Sequence, residues 1–234
     1  MRLKGLHYFT IPLAVVACVL VTPVATADIL MAEDFETDGS GGARYTLSED
    51  CNDNAADFFT RTDGSDIGSY VVYTGPNNSY YFAAMDTDGP PCTMSSESIL
   101  FNAVDTTGYG TLMVYGLFAE DDATDGNEDW DANSQVILEA SLDSGPYTPL
   151  ICFAAQDDTN TEPGLDADCD GIRDGAALTP VFTGYSAAIV GSPSSVQLRI
   201  RVENLEAGDE DIAFDYIRLE GVVIPVELQS FQID

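Results

Sequence analysis

Hydrophobic and polar residues alternate most cleanly at 196–202. There Val196, Leu198, Ile200 and Val202 take one parity and Gln197, Arg199 and Arg201 the other. A period of two puts one set in a core and leaves the other in water. Shorter apolar or alternating runs at 43–48, 58–61, 70–73, 80–85, 97–101, 111–118, 135–142, 150–154 and 181–184 also predict strands, being rich in β-branched and aromatic residues. Turn formers fill the gaps, among them Asp63-Gly64, Thr74-Gly75-Pro76-Asn77-Asn78, Asp88-Gly89-Pro90-Pro91, Asp125-Gly126 and Ser144-Gly145-Pro146. No stretch keeps a 3.6-residue apolar period long enough for a substantial helix. The pattern therefore predicts an all-β fold, an antiparallel two-sheet sandwich of jelly-roll type.

The run 212–219, inside Gly208-Asp-Glu-Asp-Ile-Ala-Phe-Asp-Tyr-Ile-Arg-Leu-Glu-Gly221, reads as a strand buried on both faces. Asp215 shares strand parity with Ala213, Ile217 and Leu219, so it is expected on the side they bury. A buried carboxylate requires a cation, N–H donors or a proton. A second strand near the other end closes on acids, Ile29-Leu30-Met31-Ala32-Glu33-Asp34-Phe35-Glu36. The expectation is that 29–35 and 212–219 are neighbours in one sheet. Glu33, Asp34, Glu36 and Asp215 would then share a calcium ion, because like charges brought together repel more as water is excluded. The competing reading is that Asp215 simply accepts backbone N–H bonds.

Residues 1–27 carry a charged start (Arg2, Lys4), an apolar run from Ile11 to Val21 and an Ala25-Thr26-Ala27 cleavage pattern. They read as a signal peptide, so the chain is expected to be exported and to begin at Asp28. The apolar run is too short for a comfortable membrane span, and no membrane insertion is expected. The domain is placed at 28–221, with 222–234 a tail strand or linker. Removing the leader takes away the only Lys, the only His and Cys18, leaving six arginines against all 40 acids, a net charge of 6 − 40 = −34. That balance opposes nucleic acid and anionic membrane, favours cations, and suits a salty medium that screens self-repulsion. Solubility alone is the plainer explanation.

Four cysteines remain, Cys51, Cys92, Cys152 and Cys169. In an exported chain they read as disulfides with three possible connectivities. Cys51–Cys92 and Cys152–Cys169 are expected, since each pair lies in neighbouring loops or strand ends. No C-x-x-C and no histidine argue for zinc.

The sharpest acidic pattern is Asp166-Ala167-Asp168-Cys169-Asp170-Gly171-Ile172-Arg173-Asp174. Oxygens at positions 1, 3, 5 and 9, with Gly at 6, suit a hard cation, and Ile172 at position 7 would offer its carbonyl. Position 12 is Ala177, so this is no EF-hand. The loop resembles the D-x-D-x-D-G-x-x-D calcium loops of thrombospondin type 3 repeats, in a single copy. Cys169 would point away from the ion and staple the loop to Cys152. A solvated acidic loop is the bland alternative. A second acidic run spans 120–131, where Asp121, Asp122, Asp125, Asp129 and Asp131 could hold another calcium ion, though the spacing fits no template. Trp130, the only tryptophan, is either a sugar-stacking platform or a cap on the sandwich, and a lone Trp is more often core.

Several segments together carry a wider resemblance: F-E-T-D-G-S-G-G-A-R-Y-T (35–46), F-F-T-R-T-D-G-S (58–65), Y-F-A-A-M-D-T-D-G (81–89), F-A-E-D-D (118–122), D-W-D-A (129–132) and A-G-D-E-D-I-A-F-D-Y-I-R-L-E-G (207–221). They resemble a β-sandwich accessory module of large secreted proteins of marine and Bacteroidota-type bacteria, often found beside endonuclease/phosphatase or lamin-tail domains. The resemblance implies a non-catalytic accessory or adhesive module; jelly-roll binding modules often hold a structural calcium between their end strands. The tail from Val222 to Phe231 is similar to the P-V-E-L-x-S-F linkers of Bacteroidota surface proteins.

Triad and His-metal catalysis find no histidine beyond the leader, and no nucleotide-binding glycine loop or P-loop lysine is present. No pair of acids stands out as a glycosidase pair. The expected function is a secreted, calcium-stabilised, non-catalytic binding module for extracellular polysaccharide or cell-envelope components. The alternatives are a self-associating structural surface protein and an accessory part of a secreted hydrolase or nuclease.

Overall fold

The computed structural model describes residues 26–121, 130–156 and 161–224. The strands in chain order are β1 (Ala27–Glu33), β2 (Tyr45–Leu47), β3 (Cys51–Asn52), β4 (Phe58–Thr62), β5 (Tyr81–Met85), β6 (Ser96–Phe101) and β7 (Val104–Asp105). They continue as β8 (Tyr109–Ala119), β9 (Gln135–Leu142), β10 (Tyr147–Ala154), β11 (Gly164–Asp166), β12 (Thr183–Ile189), β13 (Ser195–Glu203) and β14 (Asp211–Val223). No helix occurs among the described residues. One sheet runs β12-β8-β14-β5-β4-β3, with β1 also on β14; the other runs β11-β10-β9-β13-β6-β2, with β7 on β13. The chain changes sheet between β1 and β2, β2 and β3, β5 and β6, β7 and β8, β8 and β9, β11 and β12, β12 and β13, and β13 and β14. All strand pairings are antiparallel. The expected antiparallel sandwich of jelly-roll type is what forms.

The alternation at 196–202 does what its period dictates. Val196, Leu198, Ile200 and Val202 are buried between the sheets, and the residues between them line the outer face. Opposite them the first sheet contributes Phe82, Phe118 and Phe214, with Phe82 and Phe214 stacked at 5.3 Å. Both expected disulfides form: Cys51–Cys92 closes 41 residues and Cys152–Cys169 closes 17.

The run 70–73 is not a strand. It belongs to a loop that covers the outer face of the first sheet, where Ile67, Val71 and Tyr73 pack with Phe182 over Phe58, Tyr81, Met85 and Ala213. A half-exposed sheet face with large apolar side chains gains more by being covered than a lone edge run gains by pairing. The run at 181–184 likewise starts its strand late, at Thr183, since Phe182 is drawn into this second cluster.

The last strand departs from simple alternation. Its first residues, 211–214, pair with β5, and residues 217–222 pair with β1, so β5 and β1 lie end to end along one side of β14. Between the two blocks the register slips against β8, and Tyr216 takes a φ of 47°. Such a bulge reverses which face later residues point to. Phe214 packs between the sheets and Ala213 under the covering loop, yet Ile217 and Leu219 are back between the sheets. The parity that grouped Asp215 with Ile217 and Leu219 is therefore corrected: Asp215 shares its face with Ala213.

Candidate calcium centre

The 166–174 loop begins where β11 ends. Asp166 is the cross-strand partner of Cys152, and Cys152 is also the disulfide partner of Cys169. One residue of β10 thus fixes both ends of the loop's first turn. The Asp166 carboxylate is buried and accepts the N–H groups of Asp170 at 3.2 Å and Gly171 at 2.8 Å. Gly171 is required here: its φ is +94°, and a Cβ would stand 2.7 Å from Gln135 Nε2. Asp170 in turn accepts the Ile172 N–H at 3.1 Å.

This winding brings one carboxylate oxygen each from Asp166, Asp168 and Asp170 within 4.8 Å of one another. The crowding shows in Asp168, whose carboxyl holds its proton more tightly than usual, chiefly because of Asp170 and then through burial, Asp166 and Asp174. The neighbouring cation does not relieve it, since Arg173 reaches the Glu162 carbonyl at 2.6 Å and its carboxylate at 3.5 Å. Asp174 stands outside the three, accepting the Ala167 N–H at 3.0 Å. Ile172 contributes its N–H to the turn and leaves its side chain 44% exposed.

The end strands are neighbours as expected, with Glu33 opposite Ile217 and Ala32 opposite Arg218. Glu33, however, is taken by an ion pair: Arg44 donates to it at 2.5 and 3.0 Å, and the Phe35 N–H adds 2.9 Å. Asp215 sits at the junction of β1, β5 and the bulge, fully buried, and accepts the Asn77 and Tyr216 N–H groups at 2.5 Å each. Glu36 accepts from Ser79 and Tyr80, both at 2.7 Å, and Asp34 from Glu36 at 3.2 Å. Burial pushes the Asp215 carboxyl up to about 7, against its two N–H donors and helped by the charges of Asp34 and Glu36. Asp34, Glu36 and Asp215 therefore share a neighbourhood, and Glu33 is engaged elsewhere.

Sequence reasoning missed the acid four residues before Asp215 on the same strand. Asp211 is buried on the same covered face and accepts the Tyr73 hydroxyl and, at 3.1 Å, the Asp121 N–H. Asp121 accepts the Val72 N–H at 3.0 Å. The signal was available: Asp211, Ala213 and Asp215 alternate, and Ile67, Val71 and Tyr73 are apolar enough to cover them. Trp130 is completely buried and donates its indole N–H to the Asp211 carbonyl at 3.0 Å. It has no free ring face for a sugar, so the stacking role is corrected in favour of the core. Asp131 gives its N–H to buried Glu210. Asp122, Asp125 and Asp129 lie outside the described residues.

No protein-family model matches the chain, and no curated protein matches it either. Solved structures share its outline. The K1 cleaved adhesin domain of Lys-gingipain from Porphyromonas gingivalis W83 is 14% identical, with 83% of this chain and 97% of that one covered at a TM-score of 0.43. The CBM22-1 xylan-binding domain from Paenibacillus barcinonensis is 9% identical, covering 87% and 100% at 0.40. A Stig cyclase from Fischerella sp. TAU is 9% identical, covering 86% and 100% at 0.48. These three differ in what they do, and likeness at this level selects no function for the present chain.

Proposed function

We propose that the chain is a secreted, non-catalytic β-sandwich module whose 166–174 loop holds calcium, and that it binds extracellular polysaccharide or cell-envelope components. The observation that carries the calcium reading is the convergence of Asp166, Asp168 and Asp170 on a loop stapled by Cys152–Cys169. Three carboxylates with no arginine among them are stable together only when a cation or water separates their charge. Asp34, Glu36 and Asp215 are not gathered in this way; each accepts backbone N–H groups, which supports the competing reading of Asp215 as an acceptor. Two disulfides and the leader-like residues 1–27 support export. The reading as non-catalytic rests on the sequence, which has no histidine after His7.

With Trp130 buried, the surface that supports glycan binding is a cleft of 270 Å³ on the first sheet, lined by Tyr115, Tyr216, Arg218 and Gly184 among others. Arg218 lies over both rings, 4.4 Å from Tyr115 and 5.2 Å from Tyr216. Aromatic rings beside a planar donor suit the alternating apolar and hydroxyl faces of sugars. A panel of immobilised polysaccharides tests it: binding lost in Tyr115→Ala with the fold intact supports the reading, and no binding on any polysaccharide contradicts it.

Self-assembly is favoured by a different observation. The edge strand β12, Thr-Gly-Tyr-Ser-Ala-Ala-Ile, carries no charge and is followed by Val190 at 88% exposure. An uncharged, unpaired edge is a template for a second strand. Sedimentation would show dimers that Ser186→Lys disperses; a monomer at every concentration excludes this reading.

A further inference from the structure

We infer that Ser48, Glu49 and Glu97 form an additional divalent-cation site, at the rim of the sandwich beside the Cys51–Cys92 disulfide. Glu97 lies on β6 with the parity of Ile99 and Phe101, so its side chain enters the buried side of the sheet. It is 0% exposed. One carboxylate oxygen accepts the Ser48 hydroxyl; the other, Oε1, has no hydrogen-bond partner. A buried acceptor left unsatisfied is costly, and more so when charged.

Glu49 is what Glu97 faces, with the two carboxyl groups within hydrogen-bonding reach of each other. Both are acceptors when ionised, so something positive must stand between them. A shared proton would serve, and so would a divalent cation held by both. Glu49 accepts the Thr93 N–H at 3.0 Å and the Thr93 hydroxyl at 3.1 Å, and Glu97 takes the Ser48 hydroxyl. These bonds fix the direction in which each carboxylate points. The Ser98 N–H, 2.7 Å from Ser48 Oγ, orients the hydroxyl. No arginine forms an ion pair with either glutamate among the described residues.

The framework is stiff where the ligands attach. Cys92 precedes Thr93, Cys51 follows Glu49 by two residues, and their disulfide brings the two segments to a Cα separation of 5.2 Å. A cleft of 360 Å³ is lined by Ser48, Glu49 and Asp50 among others, so two of the three ligands border solvent-sized space. Two carboxylates, a hydroxyl and water make an all-oxygen set, which selects a hard cation such as calcium over zinc.

The test counts calcium ions per chain by native mass spectrometry near neutral pH. It is done in an Asp168→Asn/Asp170→Asn background, so that the 166–174 loop contributes nothing. Glu97→Gln should bind one ion fewer than that background protein, and so should Glu49→Gln. The second variant alters a half-buried side chain and guards against a folding failure of the first. An unchanged count in a folded variant overturns the site, and a shared proton would give that result. As a check without substitutions, terbium-soaked crystals of the unaltered chain should show an anomalous peak between Glu49 and Glu97; its absence, with terbium bound elsewhere, also overturns the site.

Discussion

The 166–174 loop and the covered face of β14 both gather carboxylates and treat them in opposite ways. In the loop, Asp168 and Asp170 stay exposed and crowd buried Asp166, with backbone donors spent on winding the turn. On β14, Asp211 and Asp215 are sealed beneath the loop that carries Val71, Tyr73 and Asn77, and each is met by donors from that loop. The first arrangement leaves negative charge turned outward, where the proposed ion would meet it. The second uses acids as acceptors that fasten a cover onto a sheet. Position relative to a covering segment, more than the number of acids, separates a site from a clasp.

The largest effect that sharpens this contrast belongs to Trp130. As a buried residue holding the Asp211 carbonyl, its replacement by Ala should destabilise the chain by about 3–5 kcal/mol. Denaturant midpoints should show the same loss with calcium or with chelator, placing Trp130 with the clasp. A loss confined to calcium would assign it to an ion site.

Next comes the Cys152–Cys169 staple. Removing it with a Cys152→Ala/Cys169→Ala pair should cost at most about 3 kcal/mol in the chain-entropy model. Calcium affinity should fall with it, because Cys152 anchors both ends of the loop's first turn. If affinity is unchanged, the turn holds its shape without the staple.

A smaller effect is the pH response of Asp211. Burial, partly opposed by Tyr73 and the Asp121 N–H, puts its carboxyl at about 7 in the folded chain; unfolded, it sits near 4. Between those values the folded chain keeps a proton that the unfolded chain has lost. The contribution is therefore complete below about pH 4 and falls away as pH rises through about 7. Asp211→Asn should gain on the unaltered chain across that window in chelator, and a pH-independent gap between the two melting curves would refute the assignment. The smallest effect is Asp168→Asn: in chelator it should stabilise slightly, by relieving repulsion from Asp170, and a destabilisation there would contradict the crowding.

Much of this was legible beforehand because it depended on local rules. The period of two at 196–202 placed β13 correctly, and export logic with loop proximity paired the four cysteines. The acid spacing at 166–174 named Asp166, Asp168 and Asp170, which converge because Gly171 and the Asp166 carboxylate make that turn from local bonds, but it also named Asp174, which stands outside them. What was not legible depended on distant partners. The bulge at Tyr216 reverses the face of β14 midway, and nothing in Phe214-Asp215-Tyr216-Ile217 announces it. Arg44 takes Glu33 away from Asp215 only because the turn at 39–45 folds back onto β1. The run 70–73 has strand chemistry but an outer face to cover, and tertiary burial won.

The central claim is that Asp166, Asp168 and Asp170 hold calcium, and thermal melting of the unaltered chain against the Asp168→Asn/Asp170→Asn variant tests it most directly. With the free ion at about 100 times its dissociation constant, binding to the native state alone adds about 2.7 kcal/mol. The account predicts a calcium-dependent rise in melting temperature that the variant loses in large part, while the two proteins melt alike in chelator apart from the variant's small gain. An equal calcium response in both proteins, or none in either, would contradict it.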